Sequence, residues 1–285
     1  MRPHLLQLLL LSLCLTGCQG VGSRSLDAGP TADEVKVRLN DDGPPATVDS
    51  PAMATSASKQ IVLHTDHPLE NRQRLLEDLS EERSYIAERL NLAPPATPVH
   101  IYLFAKQAAY HDHVHAKFPQ FPTRRAIFVS ADNQLSVYAH GGDHLVEDLR
   151  HEATHGFLHA ATPNLPLWLD EGLAEFFEVG RGREGLHRGH VDYLLGQQAI
   201  ANWKPDLERL EQITDAALMT QLDYAESWLW VHFLLESAGD KSPVLTAYLA
   251  DLRSGTAEDA LSVRLSRRVP NAGDQVAAHL GKLPR

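Results

Sequence analysis

The sequence predicts an α+β protein in which a small mixed or antiparallel sheet with one helix precedes a mostly helical half. Two observations carry this prediction. Short apolar runs typical of strands are confined to the part of the chain before Gly141-Gly142. After these glycines, apolar residues recur at helical spacing over almost all of the remaining sequence. The chain has 285 residues, which is ample for a buried core.

The sheet-forming half is expected to contain four strands, at 61–64, 99–104, 125–130 and 134–140. Between the first two strands, apolar residues at near-helical spacing predict a helix over 69–91, which ends before Pro94-Pro95. Asp132-Asn133 is typical of a hairpin turn and is expected to join the last two strands.

The helical half is expected to begin with a helix over 143–161. Its apolar stripe is formed, at spacings of three and four, by Val146, Leu149, Ala153, Phe157 and Ala160. Further helices are predicted near 167–179, 188–201, 217–237, 242–253, 256–266 and 273–281. Helices that carry the functional motifs therefore follow the sheet in the chain.

Charge and cysteine content exclude several classes of function. Lys and Arg total 26 against 37 Asp and Glu, a net charge of −11, which argues against nucleic acid as a partner. Only Cys14 and Cys18 are present, which excludes a disulfide scaffold and a cysteine-based zinc cluster. The 16 histidines, in contrast, favour metal chemistry.

The N-terminus has the pattern of a lipoprotein signal peptide over residues 1–17. A basic start precedes an almost unbroken apolar run that is too short to span a bilayer. Leu15-Thr16-Gly17 before Cys18 resembles the bacterial lipobox, whose cysteine is acylated. The resemblance implies a protein of the bacterial cell envelope, anchored to the membrane through lipid on Cys18. Gln19 favours the outer membrane, facing the periplasm; an ordinary signal peptide with a chance cysteine is the alternative.

Residues 18–58 are expected to be a flexible tether. The segment after the cysteine contains no aromatic residue and is dense in Gly, Pro, Ser, Ala, Thr and Asp. Such a composition buries too little apolar surface to offset the entropy of ordering the chain. The folded domain is therefore predicted over 59–285.

The predicted helix over 143–161 carries the motif His151-Glu152-Ala153-Thr154-His155. Two histidines at i and i+4 lie on one face of a helix, so both imidazoles can reach one metal ion. Glu152 is placed beside that ion, where its carboxylate can take a proton from water instead of coordinating. The alternative is a polar helix face without a metal, with Asp143 as the helix cap.

A second helix can supply the third protein ligand that a catalytic zinc ion requires. The turn at 163–166 contains two prolines, which end the first helix. In the following segment, Glu171 and Glu175 share one face at i and i+4, while apolar residues can pack against the first helix. An antiparallel pair of helices would bring this acidic face over the two histidines.

The combination His151-Glu-x-x-His155 and Trp168-Leu-x-Glu171-Gly-x-Ala174-Glu175 resembles the gluzincin metallopeptidases, and most closely their bacterial peptidase MA-like branch. The resemblance is specific over about 143–180 and loose over about 60–240. It implies one Zn²⁺ per chain, with His151, His155 and Glu171 as metal ligands and Glu152 as the catalytic general base. It places Glu175 where an acid holds the first histidine in the correct tautomer. The short spacing after His155 leaves Glu175 as an alternative ligand.

Three further features are open at this stage. The segment from Tyr224 to His232 resembles the helix start at which zinc aminopeptidases place a tyrosine, which implies that Tyr224 stabilises the oxyanion. A packing role for Tyr224 is the alternative, and His232 is the lesser catalytic candidate.

The alternating histidines at 111–115 favour a solvated segment over a second metal site. In the resembled family, the strand before the zinc helix, here 134–140, is often the sheet edge that binds substrate backbone.

These features predict a zinc-dependent peptide-bond hydrolase whose partner is a peptide or protein substrate. The sequence has no counterpart of the aminopeptidase motif that anchors a free amine, which favours an endopeptidase. One alternative is a catalytically silent, zinc-stabilised envelope lipoprotein that binds a protein partner through the same cleft. The other is a metal-dependent hydrolase of a non-peptide bond.

Overall fold

The computed structural model describes residues 53–58, 60–93, 97–119, 121, 123–162, 164–237 and 242–285. The predicted signal peptide at 1–17, the predicted lipidation site Cys18 and most of the predicted tether at 18–58 lie outside the described residues. Across the described ranges, no helix combines the length and the apolar character needed to cross a membrane.

Five strands form one mixed sheet in the first half of the chain, one more than the four that the sequence predicts. They are β1 (Ala54–Ser58), β2 (Ile61–Thr65), β3 (Val99–Phe104), β4 (Ala126–Ala131) and β5 (Gln134–His140). The strand order is β1-β2-β3-β5-β4. β2, β3 and β5 are parallel, while β1 and β4 pair antiparallel at the two edges.

The predicted helices are present in their predicted order, and two further helices, at Gln107–Lys117 and Leu207–Glu211, were not predicted. The helices of the described ranges are α1 (Arg72–Arg89), α2 (Gln107–Lys117), α3 (Leu145–Ala161), α4 (Leu167–Phe177), α5 (Arg188–Ala201), α6 (Leu207–Glu211), α7 (Gln221–Glu236), α8 (Ser242–Ser254), α9 (Leu261–Ser266) and α10 (Ala272–Leu280). A short 3-10 turn lies at Ala216–Leu218. The α+β fold with a mostly helical second half is therefore confirmed.

The strand before α3 is not the edge of the sheet. β5 lies between β3 and β4, so the expectation of an edge strand at 134–140 is wrong. The edge next to α3 is β4, which joins β5 through the predicted turn. Asp132 and Asn133 both have positive φ, 51° and 59°. A two-residue hairpin needs positive φ at both central positions, and Asp and Asn tolerate it better than other non-glycine residues.

β1 lies within the segment that the sequence analysis assigns to the tether. Ala54, Thr55 and Ala57 of this strand are exposed, and its register with β2 runs from Ala54 opposite Thr65 to Ser58 opposite Ile61. An edge strand of small, exposed residues owes its structure to backbone pairing and gives no apolar pattern. The boundary predicted at Lys59 therefore falls inside the folded part of the chain.

The sheet separates two apolar cores. One face carries Ile61, Ile101, Val137 and Phe128, which pack with α1, α3 and the helical half. The other face packs with α2 in a smaller cluster that is formed by Phe104, Tyr110, Val114, Phe118, Phe121, Ile127, Val129 and Tyr138. Alternation along β4 sends Phe128 to the first core and its two neighbours to the second.

α4 is buried over its whole length between α3 and α7. A Cβ atom at Gly172 would lie 2.5 Å from the carbonyl oxygen of Ser227 and 2.9 Å from Cγ2 of Val231. Only glycine allows the backbones of α4 and α7 to approach this closely. On α7, the indole of Trp228 donates a hydrogen bond of 2.8 Å to the Gly185 carbonyl and ties the helix to the loop after α4. Glu171, next to Gly172, therefore lies on a helix that packs closely against α3 on one side and α7 on the other.

Candidate metal centre

Three predicted ligands from two helices converge in the interior. His151 and His155 lie on α3, Glu171 lies on α4, and the exposed fraction of each is 0%. The Oε2 atom of Glu171 is 3.8 Å from Nε2 of His151 and 4.0 Å from Nε2 of His155. All three donor atoms lie within 4.8 Å of one another. The helix pair brings the acidic face of α4 over the two histidines, as the spacing predicts.

The free lone pairs of this cluster fit a metal ion. Nε2 of both histidines and both carboxylate oxygens of Glu171 are buried without a hydrogen-bond partner. An unsatisfied buried polar group costs about 1–3 kcal/mol, so four at one point call for a common partner. Burial raises the pKa of Glu171 well above its usual range, and the charges of Asp170 and Glu175 add to this effect. A divalent cation would satisfy all four atoms and favour the carboxylate form.

A buried carboxylate lies on the Nδ1 side of each imidazole. Nδ1 of His151 lies at a hydrogen-bond distance of 2.7 Å from Oε2 of Glu178. Nδ1 of His155 lies 3.0 Å from Oδ1 of Asp170, although these two atoms are not aligned as a hydrogen bond. Proton donation from Nδ1 leaves the Nε2 lone pair for a metal, the usual arrangement of metal-binding histidines. Burial lowers the pKa of His151, but the hydrogen bond and charge of Glu178 outweigh it and raise this pKa to about 10, so a cation that binds Nε2 must displace a proton.

Asp170 serves two histidines at once. Its Oδ2 atom is 2.8 Å from Nε2 of His159, one helical turn beyond His155 on α3. Burial alone would raise the pKa of Asp170, but the charges of His155 and His159 lower it below its usual range. Asp170 is therefore an anion between two imidazoles. Although it directly precedes Glu171 in the sequence, its role differs from the one predicted for Glu171.

Glu175 does not occupy the position that the sequence analysis gives it. Its Oε2 atom is 2.8 Å from Nε2 of His190 on α5, while the acid on Nδ1 of His151 is Glu178. Glu178 follows the last residue of α4, so the three glutamates Glu171, Glu175 and Glu178 are spaced i, i+4 and i+7 along one face. This spacing is visible in the sequence, and it could have identified Glu178 as a third candidate residue of the site, beside Glu171 and Glu175.

A second group of potential ligands, Glu175, His187 and His190, is a hydrogen-bond network. Nδ1 of His187 accepts a hydrogen bond of 3.1 Å from the backbone N–H of His190. The neutral ring of His187 therefore carries its proton on Nε2, which lies 3.3 Å from Oε1 of Glu178. Because His190 is hydrogen-bonded to Glu175, the potential ligand atoms of this second group have partners within the protein. The donor atoms of the cluster around Glu171 do not.

Glu152 lies beside the cluster without belonging to it. Its exposed fraction is 0%, and neither carboxylate oxygen has a hydrogen-bond partner. Burial raises the pKa of Glu152 to about 7, against the opposing charges of His151 and Arg124. The backbone of Phe128, on the edge strand β4, is close enough to lower this pKa slightly. A carboxyl group with a pKa near neutrality can both take up and return a proton.

The two weaker catalytic candidates lie on α7. Tyr224 is 2% exposed and sits one turn before Ser227, the residue whose backbone contacts Gly172. His232 is two turns further along, and its Nδ1 atom is 2.9 Å from Nε2 of His279 on α10. Burial lowers the pKa of His232 to about 3, with the charge of His279 acting in the same direction. The structure thus pairs His232 with another histidine and places Tyr224 on α7, the helix that packs against α4.

The alternating histidines lie on α2 and point in different directions. Successive helical positions two residues apart differ by about 200°. His113 packs against Phe104, and His115 is 3.5 Å from Oγ1 of Thr123. The ring centroid of His111 lies 6.3 Å from that of His140, at the end of β5. Within the described part of the chain, these residues join no group that could hold a metal ion.

Fold and site together define an α+β protein with a buried His-His-Glu cluster that can hold a metal ion. A scan against protein-family models finds no match to the chain, and a comparison with curated proteins finds none either. The similarity to gluzincins therefore stays a prediction that rests on the motif residues themselves.

Proposed function

We propose that the protein is a zinc-dependent peptide-bond hydrolase of the gluzincin type. The observation that carries the proposal is the set of unpartnered donor atoms on His151, His155 and Glu171, with the free carboxylate of Glu152 beside them. Two imidazoles and one carboxylate are a ligand set of catalytic zinc, which keeps its fourth position open. One Zn²⁺ per chain is expected.

Each side chain has a distinct part in the proposed reaction. A zinc ion held by the three ligands would polarise a carbonyl group and lower the pKa of water towards ~7. Glu152 takes a proton from the water that attacks the peptide carbonyl and returns it to the leaving amine. Glu178 and Asp170 hold the ligand imidazoles in the tautomer that the ion requires. Tyr224 is the proposed donor to the oxyanion.

The edge strand β4, beside the proposed base Glu152, can accept a peptide substrate. β4 is an edge strand, and the backbone of its residue Phe128 lies next to Glu152. An extended peptide can pair with the free side of such a strand, which delivers main-chain carbonyls regardless of side-chain sequence. This favours an endopeptidase, and it moves the proposed strand addition from β5 to β4.

The proposed location is the bacterial cell envelope. Support comes from the sequence pattern at 1–17 and from the lipobox-like residues before Cys18. A lipid on Cys18 would anchor the domain, in the outer membrane facing the periplasm. Cys18→Ser should then abolish partitioning into a detergent phase, and persistent partitioning would place the anchor elsewhere.

The full burial of the site favours a second candidate function. His151, Glu152, His155 and Glu171 are each 0% exposed. A metal ion enclosed in this way would stabilise the fold without meeting a substrate. The second candidate is therefore a catalytically silent, zinc-stabilised lipoprotein that binds a protein partner.

Glu152→Gln separates the two functions, because it keeps the shape and the ligands and removes only the base. The experiment measures zinc content, melting temperature and cleavage of a peptide library by the zinc-loaded parent and variant. The hydrolase predicts equal zinc and melting temperature, with cleavage reduced at least 10²-fold in the variant. Zinc binding without cleavage by the parent would establish the scaffold instead. Absence of zinc after reconstitution would refute both.

A further inference from the structure

A cleft of about 1040 Å³ reaches the residues behind the metal cluster. It is lined by the first turns of α3 and by residues of the segment 178–189. Glu178 and His187 both belong to this lining, and the side chain of His187 is 27% exposed. The carboxylate of Glu178 lies 2.7 Å from Nδ1 of His151 and 3.3 Å from Nε2 of His187. The cleft therefore begins one side chain away from a predicted metal ligand.

Groups of potential metal ligands form a series between this cleft and the metal cluster. The outer group is Glu175, His187 and His190, and the intermediate group is His151, Glu175 and Glu178. In each group the donor atoms lie within 4.8 Å of one another. Glu175 belongs to both of these groups, and His151 belongs to the intermediate group and to the metal cluster. A cation that moves along this series keeps at least one protein ligand at each transfer.

The charges around His187 favour the approach of a cation. Burial lowers the pKa of His187, but its interaction with Glu178 and the charges of nearby carboxylates raise this pKa above its usual value. These carboxylates belong to Glu147, Glu175 and Glu178. A field that stabilises a proton on the imidazole also attracts a divalent ion, which displaces the proton when it binds.

The contacts of the outer group suit a temporary stop better than a resident ion. Nε2 of His190 lies 2.8 Å from Oε2 of Glu175, so these two atoms are satisfied without a metal. The 3.3 Å contact of His187 with Glu178 is longer than the usual ~2.9–3.0 Å, so little is lost when this ring turns to present a nitrogen to the cleft. Unpartnered oxygens lie further in, on Glu171, one helical turn before Glu175. An ion at the outer group therefore gains binding free energy by moving inward.

We propose that Glu175, His187 and His190 form an entry site, at which the protein takes up a divalent metal ion for the buried cluster. His187 contacts the ion first, from the cleft, and Glu175 passes it to Glu171 on the same face of α4. The entry site is occupied only during exchange, so the chain still holds one resident ion. The proposal rests on the proposed zinc centre and adds a route by which fully buried ligands exchange their metal.

His187→Asn and His187→Asp test the proposal as a matched pair. The side chain of His187 caps α5 by accepting a hydrogen bond of 3.1 Å from the backbone N–H of His190, and both replacements are good caps. Zinc is bound by cysteine, histidine and carboxylate side chains, so aspartate can replace the imidazole as a ligand and asparagine cannot. Stopped-flow mixing of metal-free full-length protein with zinc measures uptake, and mixing of the loaded protein with a zinc-sensitive dye measures release.

An entry site changes the rates of metal exchange and not the affinity, because the ion has left it in both end states. In His187→Asn, uptake and release should both slow about tenfold, equivalent to ~1.4 kcal/mol less binding at the entry site, while Kd stays within about threefold of the parent. His187→Asp should exchange zinc faster than His187→Asn. The control is His67→Gln, which should exchange like the parent. The side chain of His67 is 26% exposed and lies 2.7 Å from an acid, Asp66.

The proposal is overturned if His187→Asn exchanges zinc at the rates of the parent, because the ion then takes another route. Faster release with weaker affinity and unchanged uptake would also overturn it, and would show that His187 acts on His151 through Glu178. Equally slow exchange in His187→Asp and His187→Asn would show that no ligand was lost. In each of these cases the proposed zinc centre stands. A parent that binds no zinc would instead refute the proposed function, and this proposal with it.

Discussion

Glu178 holds Nδ1 of His151 at 2.7 Å, from a position seven residues beyond the ligand Glu171. Its other carboxylate oxygen lies 3.3 Å from Nε2 of His187, which is about one-quarter exposed. One buried carboxylate thus connects a predicted metal ligand with an imidazole near the surface. The orientation of His151 therefore depends on a residue that is not among the three proposed ligands.

Removal of this carboxylate should weaken metal binding. Glu178→Gln keeps the shape but leaves His151 without an anionic partner, and such changes typically cost 10–100-fold in metal affinity. Glu175→Gln, which loses a contact to His190 instead, is the control and should bind zinc nearly as tightly as the parent. Competition with a chromophoric chelator measures both affinities. A larger loss in the Glu175 variant would restore the role that the sequence analysis gives that residue.

The third ligand can be identified by alanine variants. Glu171→Ala removes a carboxylate whose two oxygens are buried and unpartnered, so zinc affinity should fall far more than in Glu175→Ala. Both variants are titrated with zinc at one pH, and the bound metal is counted after gel filtration. The reverse order of affinities would transfer the ligand role to Glu175.

Metal release should be limited by opening of the protein. Because the exposed fraction of each ligand is 0%, a chelator cannot reach a bound ion in the closed state. The rate of zinc loss is expected to reach a plateau as the chelator concentration rises, and to increase in low concentrations of urea. Stopped-flow mixing with a zinc-sensitive dye measures the rate. A rate that stays proportional to chelator concentration would show direct access to the ion.

Gly172→Ala should destabilise the protein. The added Cβ atom would lie 2.5 Å from the Ser227 carbonyl oxygen, so α4 and α7 must move apart, at an expected cost of about 1–3 kcal/mol. Gly196→Ala is the control, since a Cβ atom there meets nothing within 4 Å. In the middle of α5 this change should stabilise by up to about 1 kcal/mol. Urea unfolding of the parent and both variants tests the contrast, and equal effects would contradict it.

Glu82 should make stability fall as pH rises. Burial raises the pKa of Glu82 to about 8, although Nε of Arg150 lies 3.5 Å from its carboxylate and opposes the shift. The unfolded chain releases this proton near the usual value, so the stabilising difference is present below about pH 4.5 and is lost as pH rises towards 8. Between pH 5.5 and 7.5, the parent should lose up to about 1.4 kcal/mol per pH unit more than Glu82→Gln.

Urea midpoints at the two pH values measure this difference. Glu77→Gln, at an exposed position of the same helix, is the control and should follow the parent. Parallel pH dependence of the parent and Glu82→Gln would show that Glu82 ionises freely in the folded protein.

The helices of the site could be predicted from the sequence because their apolar periodicity and their motifs agree. α3 and α4 fall within two residues of the predicted ranges, and Glu171 lies where an antiparallel helix pair would place it. α2 was not predicted, since only Tyr110 and Val114 of its eleven residues are buried. β1 escaped notice for the related reason that Ala54, Thr55 and Ala57 of this strand are exposed.

Contacts between distant segments could not be predicted from spacing. The partner of His151 depends on how the end of α4 turns back, and the edge position of β4 depends on strand order. The small core around Tyr110 requires α2 to pack on the far face of the sheet. These relations follow from tertiary packing, which leaves no periodic pattern in one chain.

All the groups that orient and bind the proposed metal ion lie close together along the chain. Only 27 positions separate His151 on α3 from Glu178, which directly follows α4, the next helix. Contacts of short sequence separation form early in folding, because little chain entropy is lost in closing the loop. β4, the edge strand proposed to pair with substrate, must instead be brought in by the completed sheet. The topology therefore predicts that the candidate metal centre assembles first and the proposed substrate edge afterwards.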